Sequence, residues 1–139
     1  MSVNILSVEL LSEINWFAVL TGTLAAYAFG ALWYSPLLFL RSWSLAANLN
    51  DKLSPGPVVF ASGFLLTLLA ATALAVLLGP APQLWDSLIL SLLCGGALIC
   101  SSIGVNYLFA GRSLRLWLID GGFQIGRFLL IGLALGLGH

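Results

Sequence analysis

The chain has 139 residues, of which 60% are hydrophobic and 7% charged, and five Lys plus Arg balance five Asp plus Glu. Soluble domains carry about 25% charged residues, so a mean hydropathy of +1.08 excludes a water-soluble fold and marks an integral membrane protein. At about 20 apolar residues per crossing the length allows about four spans with no hidden soluble domain, and the lack of any basic run excludes nucleic acid as a partner.

The lead MSVNILSVELLSEINW has no Lys or Arg and no small-x-small cleavage site, so a cleaved signal peptide is not expected and the first span stays in the protein. Glu13 and Asn15 stand where helix caps at the outer edge belong. Apolar periodicity and turn residues predict one domain over 1–139 with spans over about 14–34, 58–78, 87–109 and 114–137. After the first span, Ser35-Pro36 predicts a break and a new short interfacial helix that starts at Pro36, with Arg41, Ser44 and Asn48 on one face. SPGP at 54–57 precedes the second span and GPAP at 79–82 ends it, with Asp86 at the start of the third. AGRS at 110–113 makes the third and fourth spans a tight hairpin. The fold class is therefore an all-α, four-helix membrane bundle.

Arg41 and Lys52 lie in the first connection, Arg112 in the third, and Arg115 in the first turn of the fourth span. The positive-inside rule puts these on the cytoplasmic side and both termini outside, in the cell's inner (cytoplasmic) membrane. Small residues recur every fourth position as Ala18, Gly22, Ala26 and Gly30, and again as Gly63, Thr67, Ala71, Ala75 and Gly79. Such stripes let backbones approach closely and are read as packing faces. Cys94 and Cys100, six apart, are turned about 120° from each other on an ideal helix, too far for an intrahelical disulfide, and read as buried small residues. YSPLLFLRSW (34–43) and NYLFAGRSLRLW (106–117) weakly echo each other, as a parallel duplication would.

Zinc constellations, phosphate loops, nucleophile elbows and dinucleotide fingerprints are absent, and the one histidine is the terminal His139. No cofactor is expected. The fourth span stands apart, because Asp120, Gln124 and Arg127 fall along one helical stripe with Gly121, Gly122, Gly132 and Gly136 on a broad opposite side. With Trp117 at the interface, Asp120 sits about 5 Å deep and Arg127 about 15 Å deep, near the midplane. Asn106 and Tyr107 reach the same level from the third span, and Trp33 and Tyr34 from the first. Two readings stand side by side. In one, these seven residues line a vestibule in which Asp120 accepts a proton or cation and Arg127 anchors an anion. In the other, Asp120 and Arg127 neutralise each other through Gln124 and the aromatics form an ordinary interfacial belt.

NWFAVL (15–20), GALWYSPLLF (30–39) with Trp43, and NYLFAGRSLRLWLIDGGFQ (106–124) resemble domain-of-unknown-function family 1761, small integral membrane proteins of bacteria and fungi. The resemblance covers nearly the whole chain and implies the four-helix membrane fold. The family's pattern often has Asn at the position of Asp120 and His at that of Gln124, so it implies no fixed proton relay at either. The function expected from the residues is action through intramembrane helix contacts, as a homo-oligomer or an accessory subunit of a membrane complex, with lipid and another membrane protein as partners. The alternative is a dimeric small-solute or ion transporter that uses the polar stripe. A lipid- or quinone-binding enzyme is third, since no nucleophile and base are paired.

Overall fold

The computed structural model describes residues 8–49 and 55–138; Lys52, Ser54 and His139 lie outside them. Four helices are long and apolar enough to cross a membrane: Trp16–Trp33, Pro57–Leu78, Leu84–Phe109 and Leu114–Leu137. The fourth span is the hub of the bundle. It packs along the first and the third, while the second packs chiefly against the first.

Local chemistry explains the boundaries. Asn15 caps the first span by accepting from the Ala18 N–H at 3.1 Å, and its amide donates to the carbonyl of Gly138, tying the start of the first span to the end of the fourth. Glu13 is not a cap; it closes a short additional helix, Val8–Glu13, absent from the sequence reading. The third span begins at Leu84, three residues before the expected start, so Asp86 lies in its first turn, where a carboxylate complements the helix dipole.

The chain does break after Trp33, but the short helix runs over Leu40–Ala46 and does not start at Pro36. Ser35 first winds a tight turn. Its carbonyl accepts from the N–H groups of Leu38 and Leu40 at 3.0 and 3.2 Å, and its hydroxyl accepts from Leu37 N–H at 3.3 Å. The Phe39 ring folds back on Trp33 (4.5 Å between centroids) and Trp43 meets Tyr34 edge-on (5.3 Å), so aromatic packing delays the helix.

The third-to-fourth turn uses each AGRS residue. Gly111 takes φ +69°, with its N–H donating to Leu108 and that of Arg112 donating to Tyr107, the paired bonds of a Schellman stop. Ser113 then caps the fourth span by accepting from Leu116 N–H at 3.2 Å. A feature with no periodic signal sits within the third span, where Leu93–Cys100 is π-helical. Cys94 and Cys100 fall within it and are buried free thiols.

The small-residue stripes are used inside the chain. Ala18, Gly22 and Ala26 are buried, and a Cβ on Gly22 would lie 3.1 Å from the Cα of Ile131 in the fourth span. Thr67, Ala71 and Ala75 are buried on the second span. On the third-to-fourth seam, Gly136 lies against the backbone of Leu84, and a Cβ at Gly132 would collide with the Ser91 hydroxyl. That seam holds two fully buried serines, both satisfied: Ser87 donates to Gly132 O at 2.5 Å and Ser91 to Ser87 O at 2.6 Å.

Gly132→Val should therefore lower stability by about 1–3 kcal/mol through overpacking. Gly96→Ala, whose new Cβ meets nothing nearer than 3.8 Å, should be tolerated. Unfolding of both variants in detergent, followed by circular dichroism, checks the contrast.

Candidate functional site

Asp120 lies one and a half turns into the fourth span, and three elements meet on it. The Tyr34 hydroxyl, just past the first span, donates to Oδ1 at 2.6 Å, and the Tyr107 hydroxyl of the third span donates to Oδ2. A carboxylate accepts on both oxygens, so two phenols from different helices are matched to it. Further bonds reinforce this level. Trp33 Nε1 donates to Ile119 O at 3.0 Å, Trp117 Nε1 to Cys100 O at 2.8 Å, and the Cys100 thiol to Gly121 O at 3.1 Å. The residues around Asp120 clamp the first, third and fourth spans at one end.

Arg127 lies two turns deeper and does not pair with Asp120. Its Nη1 donates to Thr67 Oγ1 of the second span at 3.3 Å, and its guanidinium rests over the rings of Phe128 (5.2 Å) and Phe123 (5.9 Å). Among the described residues no carboxylate forms an ion pair with it, and its buried Nε has no hydrogen-bond partner. Gln124 does not bridge the two charges, and its buried Oε1 is also unpartnered. The stripe thus has a satisfied acidic end and an unsatisfied basic middle.

Other expected members divide. Trp33, Tyr34 and Tyr107 join Asp120, whereas Asn106 is exposed and its side chain makes no hydrogen bond among the described residues. Of the glycines opposite the stripe, Gly121, Gly132 and Gly136 face the third span, but Gly122 faces the Trp33 ring of the first. The sequence reading missed Phe29 and Phe123, which stack at 5.9 Å, with Phe123 also edge-on to Tyr34 at 5.2 Å. A phenylalanine among apolar neighbours carries no signal of its own. Thr67 was legible only as one small residue of a stripe, not as a hydroxyl for Arg127. No group of three or more His, Cys, Asp or Glu that could hold a metal occurs among the described residues.

Chemically, the Asp120 end is a hydrogen-bonded junction with both oxygens engaged. The Arg127 level offers unspent donors in a low-dielectric setting, where an isolated charge is costly and an anion is bound strongly.

A model for the family described as "Protein of unknown function (DUF1761)" matches residues 17–136. No curated protein and no solved structure matches the chain.

Tyr34→Phe and Tyr107→Phe should each destabilise the bundle by about 1.5–3 kcal/mol, the range for hydrogen bonds to a charged group. In a double-mutant cycle with Asp120→Ala, which removes both acceptor oxygens, the losses should fall short of additive, because both substitutions remove the same bond. Arg127→Met should act in the opposite direction, stabilising the isolated chain by about 1–3 kcal/mol, since it replaces a half-buried cation that has no ion-pair partner among the described residues by an apolar side chain. Detergent unfolding free energies report both, and a destabilised Arg127→Met would show that the chain itself compensates the guanidinium.

Proposed function

As the chain belongs to the DUF1761 family, whose description assigns no function, we propose a role from the geometry: it is a small subunit of a membrane assembly, and Arg127 receives an acidic group of another membrane protein. The observation that carries this is the half-buried guanidinium with no carboxylate partner among the described residues. Of the five acidic residues, Glu9, Glu13 and Asp86 belong to one end of the bundle, Asp51 to the first connection, and Asp120 is engaged by two tyrosines. Among the described residues, a second copy of this chain therefore brings no carboxylate to mid-depth. The counter-anion comes from a different molecule, so homo-oligomerisation alone does not complete the site. Support from the small-residue stripes weakens, since they are consumed within the chain. In this reading the Arg112 and Arg115 edge faces the cytoplasm, following the charge bias.

A second reading, transport of a small anionic solute along a path shared by two copies, is favoured by a separate observation. Gln124 Oε1 and Arg127 Nε, three residues apart on one stripe, are buried without partners among the described residues, two unspent polar groups that an anionic solute passing between the helices would engage.

Native mass spectrometry of the protein in mild detergent tests the first reading: a bound membrane protein should be present with wild type and lost with Arg127→Leu. Reversing charges, Arg127→Glu here and acid to Lys in that protein, should restore the complex. A strict monomer in wild type would reject the subunit role. In proteoliposomes, anion flux abolished by Arg127→Leu would favour the second reading instead.

A further inference from the structure

Two recesses adjoin along the third-to-fourth seam. One, of about 220 Å³, lies at the hairpin end and is lined by Tyr107, Arg112, Ser113 and Trp117. The other, of about 300 Å³, is bounded by Gly96, Gly121, Gly122, Trp117 and Ile125. Trp117 belongs to both. Its indole is pinned by the 2.8 Å bond to Cys100 O and packs over Gly104, where a Cβ would come within 3.0 Å of Nε1. The two recesses thus form one groove with a fixed aromatic ridge between its halves.

We propose that this groove holds one anionic phospholipid, its phosphate against Arg112 and Ser113 and an acyl chain along the glycine floor past Trp117. Length is the first argument. From Ser113 to Ile125 the fourth span rises about 18 Å, at ~1.5 Å per residue. That is close to half of a ~30 Å hydrocarbon core, so the groove is one leaflet long and fits a lipid tail, not a second membrane-spanning helix. Polarity is the second argument. The groove is charged only at its hairpin end, where Arg112 and, one turn on, Arg115 are exposed and no acidic residue is among those that line the recess. Arg112 spends one N–H on Ala47 O at 3.3 Å, which anchors the side chain, and a guanidinium has five donors to offer. A free anion would leave the glycine-floored half empty, whereas an amphiphile with one charged end fills both halves. The third argument is that backbone lines the lower recess at Gly96, Gly121 and Gly122, and at Gly96 an added Cβ would meet nothing nearer than 3.8 Å, so the missing side chain there leaves room for a tail.

This site is separate from the Arg127 stripe and stands or falls without it. The test is native mass spectrometry of the detergent-purified full chain incubated with phosphatidylglycerol or phosphatidylcholine of matched tails. Wild type should retain phosphatidylglycerol about tenfold better, the scale of one charge-assisted contact. Arg112→Gln should reduce that retention to the level of phosphatidylcholine. Gly96→Leu, which fills the lower recess, should reduce retention of both lipids. A second measurement needs no variant: in wild-type proteoliposomes, tail-brominated phosphatidylglycerol should quench tryptophan fluorescence more than tail-brominated phosphatidylcholine. Equal retention or equal quenching of the two lipids by wild type would overturn the proposal, as would unchanged phosphatidylglycerol retention in a folded Arg112→Gln protein.

Discussion

In hydrocarbon there is no hydrophobic force between helices, so a bundle is held by how closely backbones approach and by the few polar groups that meet. Here that constraint falls on the fourth span. Gly132 and Gly136 bring the third span against it, while Gly22 and Ala18 on the first span admit it from the other side. Because the fourth span is gripped on two faces, the position of every side chain along it is set. This is why a bond made at Asp120 and a bond missed at Arg127 are both consequences of packing.

The two charges respond differently to that position. Asp120 lies near the end of the bundle, where the first and third spans both finish in tyrosines, and the phenols supply two neutral donors without bringing a second charge into the membrane. Arg127 lies level with the apolar middle of its neighbours, where it meets Thr67 and two phenyl rings. Charge neutrality of the sequence as a whole therefore does not become neutrality at each level of the bilayer. A chain that keeps a cation without an ion-pair partner at this depth gives up stability in isolation.

The edge near Arg112 works by a different rule. There the Schellman turn at Gly111 and the cap at Ser113 present a basic residue at the mouth of a groove whose floor is glycine. Gly22, Gly132 and Gly136 permit helix contact on the inner faces, whereas at Gly96 the missing side chain leaves open space. One physical property, the absence of a side chain, thus gives close packing at some levels and a recess at another.

Much of this architecture follows from local chemistry and is legible in one dimension. Apolar length specifies four spans. Gly, Pro and Ser specify where they stop, Asn15 specifies a cap, and helical spacing places Asp120, Gln124 and Arg127 on one stripe. The membrane character, the four-helix class and the family need nothing more. Pairing across helices is not local, and the sequence left it open: whether Asp120 meets Arg127 or Tyr34 and Tyr107, whether Asn106 joins them, and whether Phe123 stacks on Phe29. Those outcomes depend on relative rotation and height of separate helices, quantities shifted by the π-helical stretch at Leu93–Cys100 and by the aromatic turn after Trp33. A stripe can be read from periodicity, but its partners lie 13 to 86 residues away along the chain. Only the packed bundle decides which of them arrive.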